Sequence, residues 1–241
     1  MRALALRAGG AGVLGALALV AAGCSVKAED DTNLILGKQQ FVAKCGSCHT
    51  LARANTKGII GPNLDEAFRT DLKEGLRRST IRGVVEQQIR IPNPEGAMPK
   101  DLVKGSVRSD VADYVAQVAA RSGQDTGLLA TAVAPAGAGA PAAEKGGKLS
   151  IEASPSGQLS YVTNKASATA GAVTVEMPNK SGVTHNIAIQ QGTNGAVLGA
   201  SAFTANGVAS VKVSLKPGTY TFFCQVPGHR AAGMLGTLTV K

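Results

Sequence analysis

Cys45-Gly46-Ser47-Cys48-His49 has the C-x-x-C-H spacing of covalent c-type haem attachment. Two thiols one helical turn apart reach the two vinyl groups on one edge of a haem, and the next residue then points its imidazole at the iron. A second axial ligand must come from the opposite face. Met98, in Gly96-Ala97-Met98-Pro99, is the one methionine of this region and sits in a loop ahead of a helix. A His/Met pair fills both axial positions, which suits electron transfer rather than oxygen or peroxide chemistry. The same residues admit other readings: a thioredoxin-like redox pair, a small disulfide, part of a zinc site, and for Met98 a core gap-filler. A redox pair would want a βαβ context that is missing here, and zinc would want a fourth ligand.

A second constellation lies near the C-terminus. Cys224, His229 and Met234 are spaced C-x4-H-x4-M between two strand-like runs, and His185, in Thr184-His185-Asn186, is the only histidine of the chain besides His49 and His229. One thiolate, two imidazoles and a weak axial thioether are the ligand set of a blue-copper centre, acceptable to both Cu(I) and Cu(II). Taken singly, Cys224 reads equally as a buried strand thiol, His185 as a core histidine and Met234 as packing. Taken together, they account for every remaining histidine. Met177, on an alternating strand, reads as core.

The elements that position these residues change character along the chain. From 34 to 121 the apolar spacing is helical: Leu34, Phe41 and Val42; Ile81, Val84, Val85 and Ile89; Val107, Val111, Tyr114, Val115 and Val118. Gly61-Pro62-Asn63 and the Pro-rich run 91–96 read as loops, and Ser79 and Ser106 as N-caps. Residues 122–145 are rich in Ala, Gly and Pro without periodicity and read as a flexible linker. From Gly146 onward apolar residues alternate with polar or small ones, between turn clusters such as Asn206-Gly207 and Lys216-Pro217-Gly218. That pattern predicts an antiparallel β-sandwich. The chain is thus read as multidomain, all-α followed by all-β.

Composition bounds the remaining classes. With Phe 5, Tyr 3 and no Trp in 241 residues, one large aromatic core is excluded, and Cys 4 with His 3 leaves no room for disulfide frameworks or extra histidine-rich metal sites. The net charge is +9, yet no Lys/Arg run exceeds two residues, so nucleic acid is not expected as a partner. Basic residues outnumber acidic ones 14 to 9 over 34–121 and 7 to 2 over 146–241, which predicts redox partners with acidic docking surfaces. The N-terminus, with Arg2, Arg7 and an apolar stretch to Ala22, reads as an export signal over 1–23.

Several of these features carry family resemblances. Ala21-Ala22-Gly23-Cys24 resembles a bacterial lipobox, which implies lipidation of Cys24 and anchoring on the outer face of the cytoplasmic membrane or in the periplasm; ordinary secretory cleavage and an uncleaved anchor are the alternatives. Residues 33–121 resemble the single-haem class I cytochromes c through the haem motif, Gly37, Phe41, Gly61-Pro62-Asn63-Leu64, Ala97-Met98-Pro99 and Tyr114. That resemblance implies crossing terminal helices, one covalent haem c, and a Pro62 carbonyl bonded to His49. Residues 147–241 resemble the cupredoxins, with a ligand loop most similar to that of the rusticyanins. This implies a Greek-key sandwich holding one type 1 copper, with Asn186 tying the two ligand loops together and its backbone N–H bonding the thiolate.

Two closed ligand sets leave no coordination position for a small-molecule substrate, so the expected role is electron transfer and not enzymatic turnover. The expected partners are respiratory proteins such as a terminal oxidase or a quinol-oxidising complex. The competing readings are a copper delivery or storage protein with a fused reducing cytochrome, and the electron-donor subunit of an oxidoreductase.

Overall fold

The computed structural model describes residues 32–241; the expected signal segment and Cys24 lie outside the described residues. Helix α1 (Leu34–Lys44) starts at Asn33, whose side-chain oxygen accepts the Leu36 N–H at 2.9 Å, relieving one of the orphan donors of a helix start. The short elements β1 (Thr50–Leu51), β2 (Thr56–Lys57), α2 (Leu64–Ala67) and α3 (Arg69–Lys73) follow, then α4 (Arg78–Arg90) and α5 (Gly105–Val118). Both α1 and α4 pack on α5. Gly37 permits the close approach of α1, because a Cβ there would run into the Asp110 carbonyl. Phe41 and Tyr114, both buried, meet across the crossing with ring centroids 6.3 Å apart. Helices α4 and α5 are capped at Arg77 and Lys104, without side-chain cap bonds. Ser79 and Ser106, expected as caps, therefore lie inside the first turns.

The segment 122–145 is not the free tether expected from its composition. Asp125 is buried, its carboxylate 3.0 Å from Lys38 Nζ and 2.9 Å from Arg53 Nε, and it accepts the Tyr114 hydroxyl at 2.9 Å. Helix α6 (Leu128–Thr131) follows, where the Leu129 carbonyl accepts Lys38 Nζ at 2.7 Å. Leu129 and Val133 pack against the helical core. Gln158 Nε2 donates to the Ala134 carbonyl, Ala138 bridges Thr163, and β3 (Ala142–Ala143) joins the sheet that follows. An Ala/Gly/Pro composition lacks a core of its own, but its backbone groups are complete donors and acceptors, and both neighbours use them.

The remaining strands are β4 (Lys148–Ser150), β5 (Lys165–Ala168), β6 (Gly171–Asn179), β7 (Ala188–Gln191), β8 (Val197–Ala200), β9 (Gly207–Leu215), β10 (Gly218–Phe223) and β11 (Leu235–Val240), with helix α7 (His229–Ala232) before the last. One sheet has the order β3-β5-β11-β10-β7-β8 and the other β4-β6-β9. Their inner faces bury the alternating residues read from the sequence, among them Leu149, Ile151, Val175, Met177, Ile189 and Leu238. The sandwich is mixed rather than wholly antiparallel: β3·β5, β5·β11 and β4·β6 pair in parallel. Period-two alternation reports which face is buried and is silent on the direction of the neighbour.

Candidate metal centres

The end of β10 and the turn before β7 build the first centre. Cys224 directly follows β10, and His185 is held by a two-bond bridge to Thr204, at 3.0 and 2.9 Å. Gly228, in the left-handed region at φ 83°, turns the chain into α7, whose first residue is His229. The Met234 N–H then donates to the His229 carbonyl and the Cys224 N–H to the Met234 carbonyl, at 2.9 and 3.1 Å. All four side chains are buried.

The ligand atoms converge. His185 Nδ1 lies 3.1 Å from His229 Nδ1, and Cys224 Sγ lies 3.5 Å from His229 Nδ1 and 4.0 Å from His185 Nδ1. Three donors each about 2.0–2.3 Å from a shared ion, the usual lengths for imidazole and thiolate on a first-row metal, stand roughly 3.5 Å apart in a trigonal arrangement. The triangle thus has the size that one ion requires, and its soft thiolate with two imidazoles is the chemistry copper prefers. Electrostatics agree: burial and the neighbouring His229 push His185 down to about 4, and burial lowers His229, so both rings are neutral and ready to ligate. Burial raises the Cys224 thiol, opposed by the backbone N–H groups of Asn186 and Val226, both bonded to the sulfur.

Asn186 ties the two loops by a double bond pattern: its Nδ2 donates to Gln225 Oε1 at 2.9 Å, and its Oδ1 accepts the Gln225 N–H at 2.8 Å. Gln225 was not distinguishable in the sequence, because only its partner lies beside a histidine. Tyr161 was also missed. Its hydroxyl donates to the Asn186 carbonyl at 2.8 Å and its ring packs edge-on to Phe222, fixing the ligand loop to the sandwich core. Its one sequence signal was an aromatic in a chain that has few.

The second centre lies at the C-terminal end of α1. The helix ends in consecutive turns in which Cys45 and Gly46 bond the Phe41 carbonyl and His49 bonds that of Cys45. His49 Nδ1 donates to the Pro62 carbonyl at 2.9 Å, which leaves Nε2 as the free lone pair. Gly61 lies so close under the ring that a Cβ would sit 2.7 Å from Nδ1. Cys45, Cys48, His49 and Met98 all line one cavity of ≈ 710 Å³, whose wall is otherwise mainly apolar, with Leu64, Val85 and Ile89 among its side chains and Gln88 and Asn93 among its polar ones. That volume and lining are those of a site for a large apolar group.

The alternatives fare less well. Burial, with Cys48 adjacent, pushes the Cys45 thiol up to about 12, the opposite of an activated redox thiol. Cys45 and Cys48 are free of one another. Among the described residues the one group of three metal-competent side chains within reach of a single ion is His185, Cys224 and His229, so Cys45, Cys48 and His49 do not form a zinc-sized cluster. Met98 also packs against the helical core from the cavity wall.

Residues 149–241 match the family model of copper binding proteins of the plastocyanin/azurin family. This segment is therefore a cupredoxin-type β-sheet domain with a His-Cys-His-Met copper site, a type built for electron transfer. Similar solved structures include auracyanin B (26% identity over 44% of this chain and 96% of that one, TM-score 0.36). Another is the auracyanin of Roseiflexus castenholzii (23%, 44% and 99%, TM-score 0.32). A third is rusticyanin from Thiobacillus ferrooxidans (21%, 42% and 82%, TM-score 0.32). No curated protein matches the chain.

Proposed function

We propose that the chain is an exported two-centre electron carrier, with type 1 copper held by His185, Cys224, His229 and Met234 and one haem c attached at Cys45 and Cys48 between His49 and Met98. The observation that carries the reading is the convergence of all four haem-type residues on one apolar cavity, in a chain whose other end bears the buried copper triangle. When bound, the two groups supply two one-electron couples with filled coordination spheres. The protein's own residues supply rigidity: the Asn186–Gln225 pair and the Pro62–His49 bond hold the donors in place. Burial of the copper ligands favours this reading over copper delivery, which needs an accessible site. Lipidation at Cys24 would place the carrier on the outer membrane face, where its basic surface would meet acidic partners.

Visible spectra and metal analysis of the purified protein test this. Iron and copper near one to one, haem retained through acid-acetone extraction and an intense blue band are expected. Extractable haem, or zinc in place of copper, would overturn it.

A further inference from the structure

The cavity of the second centre is not closed by the helical part alone. Ser181, Gly182 and Val183, from the turn before β7, line the same cavity as Cys45, Cys48, His49 and Met98. Val183 stands two residues before His185, at most about 7 Å of chain. This turn is rigid. Asn179, itself buried, donates from Nδ2 to the Val183 and Thr204 carbonyls, each at 2.8 Å, and accepts the Ser181 hydroxyl at 2.7 Å. Because Thr204 also bridges His185, one amide ties both the turn at the cavity and the backbone at His185.

A second contact lies on the other side of the copper loop. Ile59 packs against Gly228, the residue before His229, so closely that a Cβ on Gly228 would fall 2.9 Å from Ile59 Cδ1. Three residues on from Ile59, the Pro62 carbonyl holds His49. A continuous line thus runs from the His49 ring through one hydrogen bond to Pro62, along the backbone to Ile59, and through one van der Waals contact to Gly228 and His229. A third contact, Gly157 against Ala43 in the last turn of α1, keeps the two parts together away from this line.

We propose that Ile59 and the Ser181–Val183 turn are positioning residues of a fixed junction through which an electron crosses between the two centres within one chain. The proposal rests on the two-centre reading. In the step, ferrous haem iron is oxidised to ferric and cupric copper is reduced to cuprous; one electron moves, with no proton transferred and no bond made or broken. Tunnelling falls steeply with separation, so loosening the junction slows the step without altering either ligand sphere. Ile59 is a clean probe because it is 72% exposed, and surface substitutions of this kind change stability by about 0.5 kcal/mol or less.

The test uses the full-length protein. After flash photoreduction of the haem, copper reduction is expected at a rate independent of protein concentration. Ile59→Ala should slow it several-fold with both spectra and both potentials unchanged, while Ile91→Ala, an exposed residue that does not line the cavity, should leave it as it was. In the reduced, diamagnetic protein, Ile59→Ala should shift the amide NMR resonances of Gly228 and His229, and Ile91→Ala should not. A rate that scales with concentration, or Gly228 and His229 resonances unmoved by Ile59→Ala, overturns the junction. A protein lacking a haem or blue band refutes the two-centre reading instead, and the resonance test then still decides whether the junction exists.

Discussion

His185 and His229 face each other through their Nδ1 atoms at 3.1 Å, a separation at which two protonated rings would repel and a shared ion binds both. Cys224 completes the set from just beyond the end of β10. Its thiolate is the source of intense visible absorption at a copper site of this type, so Cys224→Ser should abolish the blue band. The haem absorption should be unaffected, and a surviving blue band would reassign the sulfur ligand.

Acid should weaken the metal-free protein through His185. Its folded value is about 4, below the ordinary 6.5, so between those values the unfolded chain binds a proton that the native site refuses. Stability is therefore full above pH 6.5 and falls as the pH drops toward 4, by about 2 kcal/mol at pH 5. Denaturant titrations of the metal-free protein at pH 7 and pH 5 measure this, and His185→Gln should reduce the difference, leaving the share that the buried His229 carries.

Asp125 should be costly to remove. Asp125→Ala leaves the buried Lys38 ammonium without its carboxylate and strips the Tyr114 hydroxyl of its acceptor. Breaking a buried ion pair from one side costs about 3–5 kcal/mol. Chemical denaturation should show a loss of that order, and limited proteolysis should begin to cut near Leu128–Val133. Unchanged stability with a resistant segment would mean that α6 is anchored by its apolar contacts alone.

Met98→Ala tests the distal side of the haem reading. Losing the thioether opens one axial position, so the ferrous variant should bind carbon monoxide and its potential should fall, because a thioether favours Fe(II). An unaltered potential without carbon monoxide binding would assign the axial role elsewhere.

The residues of both candidate centres were legible because chemistry restricts them: C-x-x-C-H and C-x4-H-x4-M leave few residues to choose among, and His185 followed as the last histidine. The helical and alternating segments were legible from periodicity. Asp125 was not, because a polar S-G-Q-D-T-G run looks like any solvated turn. Its burial depends on Lys38 and Arg53, which lie far back in the chain and meet it only after α1 has crossed α5. Gln225 escaped for a similar reason, since its role is defined by where Asn186 ends up. The docking of Ile59 on Gly228 involves one exposed isoleucine and one glycine, and neither type marks a contact in a sequence.

The pairing of β3 with β5 bears on how the β-part can be handled in isolation. Ala142 and Ala143 cover one flank of β5 in register with Ala166 and Ser167, although by composition they look like expendable tether. A fragment begun at Gly146 would leave that flank bare, with backbone donors and acceptors aligned for a second molecule. Unprotected borders of this sort recruit neighbouring chains. Such a fragment should self-associate at high concentration, and one that starts at Pro135 should stay monomeric.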